Sequence, residues 1–535
     1  MPFRQAAARF CKELRKSSGL PKICNSSPNT GKHIVSSECD FGGYTKSRCR
    51  GEASGWVFLS APAALLLGSS LTPSLAEDVS HQSYSENDKN TSNKIPEEAL
   101  ISNEHTSKWR VFTDSGRDYF MQGNLEQAQK FFQSALQEAR EGFGERDPHV
   151  ASACNNLAEL YRLKKDYENA EPLYVEAINI LEEYYGRDDI RVGAALHNLG
   201  QFYRVLRKLE NARGCYERAL KIKRRVLGEF HSDYADTLYH LGTVLYLQGK
   251  EKDSQDLIAD SIQILEAGEL RDSALCVRRM QFLAQIYSKS NKLSEAEILL
   301  RKILHVLETS KGWKSLDTVV AAERLALAIQ AVGKLREAEE LLERCLDARK
   351  SLLPVDHIQN AANGLFLARV KMLISKTDTS RAMAEIDIAK NLLHNSVRVA
   401  QKSLTRSMEQ KGKEKPNMPP GKAGKGAHSA MLILLQSMNA LGSLELLKLE
   451  IVDSKKTVPG SADAAPFQCL SVYKEFEADN SISESPEIKS EYLSCLKLFS
   501  ELMSKSILSK EKGRQEKIKD EIHRIEDELS RARND

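Results

Sequence analysis

The sequence lacks the features that would assign it to several common protein classes. Its 535 residues include 77 Lys plus Arg and 74 Asp plus Glu, a formal net charge of +3. This balance gives no overall basic field, so no nucleic-acid partner is expected. The ten cysteines are never closer than ten residues apart. The chain therefore contains no C-x-x-C pair for a metal or redox site, and a disulfide framework is not expected.

Catalytic signatures are also missing from the sequence. It contains no H-E-x-x-H, no G-x-S-x-G, no Walker phosphate loop and no G-x-G-x-x-G after a strand. The glycine- and lysine-rich stretch 421–426 has neither the spacing nor the Ser or Thr that a phosphate loop requires. We therefore predict that the protein is not an enzyme, and we expect no cofactor and no metal ion.

Long hydrophobic runs are rare, since only residues 53–76 form a long uncharged stretch. A protein with several membrane spans is therefore excluded. The Leu- and Ala-rich part, 56–76, is long enough to cross a bilayer once, although Pro62 and Pro73 weaken it as a helix. Its last residues are typical of a small-residue cleavage site. The segment 56–76 is therefore either a single retained membrane anchor or a cleaved sorting signal, and the sequence leaves both alternatives open.

The first 55 residues are basic, with ten Lys or Arg against four acidic residues. Residues 1–55 therefore resemble a disordered organellar transit peptide. A basic segment followed by a hydrophobic one favours the mitochondrion, with the inner membrane as the location of any anchor. The plastid is the first alternative, and a cytosolic protein with a disordered tail is the second. Residues 77–106, rich in Ser, Asn, Asp, Glu and Lys, are predicted to be a disordered linker.

A repeat of 42 residues organises the middle of the chain. Small residues recur in two sets twelve residues apart, and larger residues follow three or four places later. Two helices that pack closely need small side chains where their backbones cross and large ones beside the crossing. The pattern predicts an all-α solenoid of six to seven helical hairpins over residues 107–395. The two sets are Gly116, Ala158, Gly200, Gly242, Ala284 and Ala326, then Ala128, Ala170, Ala212, Ser254, Ala296 and Ala338.

This pattern resembles the tetratricopeptide repeat, in a form similar to that of kinesin light chains. The resemblance implies a right-handed superhelical solenoid that binds peptides or partner proteins in a concave groove. Kinesin light chains carry a heptad coiled coil before their repeats, whereas this chain has a basic, targeting-like segment there. The stretches that carry the resemblance are Asn155-Asn156-Leu157-Ala158-Glu159-Leu160-Tyr161, Ala170-Glu171-Pro172-Leu173-Tyr174 and His197-Asn198-Leu199-Gly200.

The resemblance also indicates which residues would face a bound peptide. In such repeats the first helix of each unit lines the groove, and asparagines there bond the backbone of the peptide, since an amide both donates and accepts. The same amides could instead bond neighbouring helices. The carboxylate clamp of chaperone-binding members is not matched. The predicted groove residues are Arg117, Asn155, Asn156, Glu159, Arg162, His197, Asn198, Gln201 and Arg204.

The chain beyond the repeats is predicted to contain extra C-terminal helices. Residues 396–426 are expected to form a basic flexible linker and residues 427–508 a helical cap on the solenoid, including an amphipathic packing helix over 431–451. Residues 509–535 predict a charged amphipathic helix with an apolar stripe. The stripe could dock on its own chain or pair with a partner as a short coiled coil, so homo-oligomerisation stays open.

The predicted function is that of a non-catalytic interaction scaffold or assembly factor in an organelle that holds a peptide or partner protein. The alternative is a cytosolic cargo adaptor of the kinesin-light-chain kind.

Overall fold

The computed structural model describes residues 97–268, 270–377, 381–411, 422–451, 464–477, 482, 484–505 and 512–534. Within these ranges the chain forms eighteen helices and no strand, which confirms the all-α prediction. The predicted segments 1–55 and 56–76 lie outside the described residues. The helices are α1 Glu97–Met121, α2 Leu125–Phe143, α3 Pro148–Lys164, α4 Tyr167–Tyr185, α5 Ile190–Val205, α6 Leu209–Leu227, α7 Ser232–Leu247, α8 Glu251–Ala267, α9 Ala274–Lys289, α10 Leu293–Lys311, α11 Leu316–Ala331, α12 Leu335–Leu352, α13 Ile358–Thr377, α14 Ala382–Lys411, α15 Lys422–Ile451, α16 Ala464–Phe476, α17 Pro486–Lys505 and α18 Lys512–Asn534.

Helices α1 to α12 form six hairpins, each made of a first and a second helix that pack together. The start of the first helix recurs every 42 residues because a capping side chain recurs there. In four hairpins the residue before the first helix is extended, and its side chain accepts a hydrogen bond from a free backbone N–H of the first turn. The capping residues are Asp147, Asp189, His231 and Ser273.

A large side chain lies against a glycine at three of the helix crossings predicted from the small residues. A Cβ atom added to Gly242 would lie 2.7 Å from Ile258 Cγ1 and 3.3 Å from the backbone oxygen of Ser254. Gly116 and Gly200 are covered in the same way by aromatic rings sixteen residues later. The small and large residues therefore repeat every 42 positions because the two helices of each hairpin approach closely at the crossing.

Gly242→Ala should lower the free energy of unfolding by about 1 to 3 kcal/mol, because the added methyl group overpacks the crossing with Ile258. The matched control is Gly214→Ala in helix α6, where an added Cβ meets nothing within 4 Å. That change should stabilise the protein by about 0.5 to 1 kcal/mol, since alanine favours a helix over glycine. Urea unfolding of both variants measures whether each change lowers or raises the free energy of unfolding. A stabilising Gly242→Ala would contradict the close crossing.

A seventh hairpin follows, formed by α13 and α14, and its second helix runs on to Lys411. Helix α15 then packs against α13, α14, α16 and α17, and most of its side chains from Ala427 to Leu447 are buried. It is therefore the central helix of the C-terminal part, not the amphipathic packing helix expected from the sequence. The stretch Gly426–Lys448 is long and apolar enough to cross a membrane, but 78% of its 18-residue apolar window is buried inside the protein, and packing accounts for its composition.

The apolar stripe of the last helix docks on its own chain. Ile518 and Ile525 of α18 are buried in the core formed by α13 to α17, and Ile522 and Leu529 are partly buried beside them. Helix α18 contacts α17 directly. Of the two arrangements left open by the sequence, the structure therefore has the intramolecular one.

Two segments predicted as linkers are helical where the structure describes them. Helix α1 begins at Glu97, inside the predicted linker 77–106, and packs along α2. Helices α14 and α15 extend to Lys411 and from Lys422, inside the predicted linker 396–426. Helix α14 continues because Val397, Val399, Ala400 and Leu404 are buried in the C-terminal core. Helix α1 extends N-terminally because residues that continue a helix already packed are added at little cost.

Candidate functional site

The candidate site is the surface formed by the first helices of the hairpins, called the inner face below. Helices α3 and α5, α5 and α7, and α11 and α13 pack directly against one another. In the described part of the chain, no two second helices of neighbouring hairpins pack as closely. Side chains of consecutive first helices therefore lie near enough to contact one ligand together.

The three predicted asparagines divide into a structural pair and a free donor. Asn198 Nδ2 donates to Asn155 Oδ1 at 3.0 Å, which joins α5 to α3. Asn156 and Asn198 are buried, whereas Asn155 is half-buried. Asn156 Nδ2 has no hydrogen-bond partner among the described residues. Asn198 thus bonds a neighbouring helix, the alternative considered from the sequence, while Asn156 keeps an unused amide donor beside Asn155.

Glu159 and Arg162 are partners of each other. Arg162 Nη2 and Nε donate to Glu159 Oε2 at 2.7 and 3.0 Å, and the hydroxyl of Tyr174 donates to Glu159 Oε1 at 2.5 Å. Burial and the neighbouring Glu159 carboxylate raise the pKa of Tyr174, which keeps its proton for this bond. Because the carboxylate neutralises the guanidinium, Arg162 attracts an acidic peptide less than the sequence alone suggests.

Arg117 and Arg204 are the other two predicted cations. Arg117 lies on α1, 3.6 Å from the exposed carboxylate of Asp114. Arg204 lies on α5, close to the buried ring of Tyr216. The Nε atom of each guanidinium is buried without a hydrogen-bond partner within the described residues. Both arginines therefore retain a donor that their own hairpins do not use.

His197 lies beneath the inner face, with only 2% of its side chain exposed. Its Nδ1 is 3.0 Å from Thr237 Oγ1 on α7, and its Nε2 is 2.9 Å from the amide of Gln201, one turn along α5. Burial lowers the pKa of His197 well below 6.5, and the positive charge of Lys223 adds to that shift. Gln201 is half-buried and separates the imidazole from the surface.

Three charged or ionisable residues that the sequence did not single out surround His197. Asp236 and His240 lie one turn apart on α7, and Arg279 Nη2 on α9 donates to Asp236 Oδ1 at 2.6 Å. Burial lowers the pKa of His240 to about 4. Burial alone would raise the pKa of Asp236, but His240, His197 and Arg279 bring it to about 2. The sequence contains a signal for His240, because it follows Asn198 by 42 residues, one period of the repeat. His240 therefore occupies the equivalent position on the next first helix.

Comparisons with protein families identify the repeat. A family model described as tetratricopeptide repeat matches residues 110–183 and 191–267, and a second model of the same description matches residues 318–359. These ranges cover helices of the first four hairpins and of the sixth. No curated protein matches the chain.

Several solved structures are similar to parts of the chain. Kinesin light chain TPR-like repeats attributed to Podosopora anserina share 20% identity at a TM-score of 0.36, covering 39% of this chain and 99% of theirs. BtubC (BKLC) from P. vanneervenii shares 17% identity at a TM-score of 0.35, covering 47% and 92%. A STAND signal-transduction ATPase with a tetratricopeptide sensor from Pyrococcus horikoshii shares 16% at 0.42, covering 54% and 43%. Likenesses this distant carry no information about function.

Proposed function

The chain contains tetratricopeptide repeats, and from this premise we propose that it is a non-catalytic scaffold or assembly factor that holds a peptide or partner protein on its inner face. Tetratricopeptide repeats commonly bind protein or peptide partners, and stacked repeats offer one extended surface. The observation that carries the proposal is the pair of adjacent amides on α3: Asn155 is half-buried, and Asn156 has a free Nδ2 donor.

These amides suit the backbone of an extended peptide. An unpaired buried N–H is costly, and rotation of the Asn156 side chain toward a ligand carbonyl would remove that cost. An amide also accepts, so the same side chains bond both the C=O and the N–H groups of a peptide. Recognition of a backbone in this way depends little on peptide sequence, and the half-buried guanidinium groups of Arg117 and Arg204 add preference for carboxylates.

The test is a selection of peptides from a random library on the purified full-length chain, followed by affinity measurements on variants. Replacing Asn155 and Asn156 together by alanine should weaken the selected peptides at least about tenfold, the effect of losing one or two hydrogen bonds to a ligand. The matched control replaces Lys130 and Lys221, which are exposed on second helices, by alanine. It should bind like the wild type.

Two results would contradict the proposal. One is a selection that yields no binding peptide, and the other is equal affinity for the wild type and for the Asn155 and Asn156 double variant. Thermal melting of all three proteins is the accompanying control, since loss of Asn155 leaves the buried Asn198 Nδ2 without its acceptor and should cost about 1 to 3 kcal/mol without unfolding the protein.

We further propose that the scaffold acts in an organelle, with the mitochondrion favoured over the plastid. The support is the basic composition of residues 1–55 and the uncharged segment 56–76. Fluorescent fusions with and without residues 1–80 test this part alone. A full-length fusion that stays diffuse in the cytosol would contradict the organelle and favour the second candidate, a cytosolic cargo adaptor.

A further inference from the structure

Helices α5 and α7 bring two imidazoles and a carboxylate together below the inner face. His197 comes from α5, and Asp236 and His240 come from one face of α7. One ligand atom of each residue lies within 4.8 Å of the others. Both imidazoles are buried, while 32% of the Asp236 side chain is exposed and gives the cluster an opening to solvent. Nitrogen and oxygen donors in this combination are typical ligands of zinc.

The distances within the cluster suit a metal better than direct hydrogen bonds. His197 Nε2 and His240 Nε2 lie 3.4 and 3.7 Å from Asp236 Oδ2. Both distances are longer than a good N–H···O bond. In a tetrahedral zinc site with bonds of about 2.0 to 2.1 Å, two ligand atoms lie about 3.4 Å apart. Asp236 Oδ2 is thus spaced from each imidazole nitrogen nearly as two ligands of one coordination shell are, and all three donor atoms lie within 4.8 Å of one another.

The hydrogen bonds around His197 direct a lone pair into the cluster. The hydroxyl of Thr237 donates to the backbone oxygen of Asp233 at 3.0 Å, so it must accept from His197 Nδ1. In a neutral ring with its proton on Nδ1, Nε2 carries the lone pair that faces Asp236. A histidine that donates its other ring N–H to an oxygen acceptor is the usual second-shell arrangement of a metal ligand.

His240 has no hydrogen bond from either ring nitrogen among the described residues. Its Nδ1 is buried without a partner, and its Nε2 is the atom 3.7 Å from Asp236. A buried ring with unmet polar atoms costs free energy, and a cation bound at Nε2 offsets part of that cost.

Arg279 orients the carboxylate. It donates from Nη2 to Asp236 Oδ1 and from Nη1 to Ser261 Oγ, both at 2.6 Å, which leaves Asp236 Oδ2 for the cluster. Its positive charge opposes a second cation, so ions that bind mainly through charge, such as Mg²⁺ and Ca²⁺, are disfavoured. Ions that bond strongly to imidazole are favoured. The amide of Gln201, 2.9 Å from His197 Nε2, can turn its oxygen toward the same point as a fourth ligand.

We propose that His197, Asp236 and His240 form a binding site for a divalent transition metal of the Zn²⁺ class. The ion would join the third hairpin to the fourth through their first helices and leave a coordination position open toward Gln201. The proposal is independent of the peptide-binding function, because none of the three ligands is needed to present Asn155 or Asn156.

The test uses the full-length chain, stripped with a chelator and titrated with Co²⁺ and then Zn²⁺ alone. The wild type should bind a single Co²⁺ with the intense visible absorption of four-coordinate cobalt, Zn²⁺ should displace it, and either ion should raise the melting temperature. Asp236→Asn keeps the size of the side chain and its bond to Arg279 but removes the charged ligand. Its metal affinity should fall at least about tenfold.

The matched control is His305→Gln, an exposed histidine on α10 outside the cluster, which should bind metal like the wild type. Glu138→Gln serves the same purpose for the more exposed group around His105. If folded wild-type protein shows no four-coordinate cobalt spectrum, or if Asp236→Asn binds as tightly as the wild type, the proposal is overturned.

A second variant covers the case in which Asp236→Asn does not fold. Thr237→Val removes the acceptor for His197 Nδ1, together with the bond from the same hydroxyl to the backbone oxygen of Asp233, and leaves all three proposed ligands in place. Loss of such a second-shell partner should weaken metal binding about 10- to 100-fold. Unchanged affinity in this variant would overturn the assignment of His197 as a ligand.

Discussion

Arg349→Met should lower the free energy of unfolding by about 3 to 5 kcal/mol, the usual cost of removing one partner from a buried ion pair. Arg349 lies on α12 with 3% of its side chain exposed. Its Nε donates to Glu323 Oε1 at 2.6 Å, and its Nη2 donates to the other oxygen of the same carboxylate. Methionine preserves most of the packing, so the expected loss comes from the Glu323 carboxylate, whose side chain is only 12% exposed and would lose its cation.

The large effect is expected because Arg349 joins three helices. Its Nη1 also donates to Gln359 Oε1 on α13 at 2.7 Å, while Glu323 on α11 accepts from Asn363 Nδ2 of α13 at 2.8 Å. Without the Arg349 guanidinium, Asn363 Nδ2 still donates to Glu323 Oε1 but supplies no charge to balance the carboxylate. A carboxylate out of water with one neutral donor is strongly destabilised.

The matched control is the next residue, Lys350→Met. Lys350 is exposed and lies 3.8 Å from the exposed Asp347, so its replacement should change stability by less than about 1 kcal/mol. Urea unfolding followed by circular dichroism compares the two variants. If Arg349→Met and Lys350→Met lose the same stability, the buried pair makes no net contribution.

Lys371→Met should destabilise the protein by a similar amount at pH 7, about 3 to 5 kcal/mol, and by less in mild acid. Lys371 on α13 is buried, and its Nζ lies 2.5 Å from Glu339, 3.1 Å from Glu343 and 3.2 Å from Glu385. Glu339 and Glu343 belong to α12, and Glu385 belongs to α14. Without the ammonium group, Glu339 and Glu385 keep Arg336, at 3.0 and 3.4 Å, but lose their buried cation. The more exposed Glu343 then faces them across a side chain with no charge.

The pH dependence follows from the two pKa shifts. Burial alone would raise the pKa of Glu339, but hydrogen bonds from Lys371 and Arg336 bring it below 4.5, so this contribution is present above pH 4.5 and lost as the pH falls further. Burial alone would lower the pKa of Lys371, but its bond to Glu339 raises it above 10.5, so that contribution is present below pH 10.5 and lost above it.

In the variant the carboxylates repel one another, which favours protonation of one of them already at pH 5. The stability difference between wild type and Lys371→Met should therefore be smaller at pH 5 than at pH 7. Urea unfolding at both pH values measures it. Lys376→Met, at an exposed position of the same helix, is the control and should show a small difference at both pH values. A difference for Lys371→Met that grows toward pH 5 would contradict the cluster as described.

Local periodicity made the repeats predictable from the sequence. Gly242 and Ile258 pack against each other at a helix crossing within a single hairpin. Their spacing can therefore be read from the sequence without knowing how neighbouring hairpins pack. The capping residues Asp147 and Asp189 depend only on the first turn of their own helices. The sequence also placed polar groups on the first helices, but it did not show that Asn198 would bond Asn155 while Asn156 stayed unpaired.

The contacts between hairpins could be identified only from the tertiary structure. The period alone determined that the chain is a stack of helical hairpins, because each helix carries its own pattern of small, large and capping residues. Only packing decided that His197 meets Asp236 and His240, that Arg349 meets Glu323, and that the stripe of α18 lies on its own chain. Such pairs depend on the rotation and rise from one hairpin to the next and on side-chain rotamers. None of these three quantities can be read from the period of the sequence.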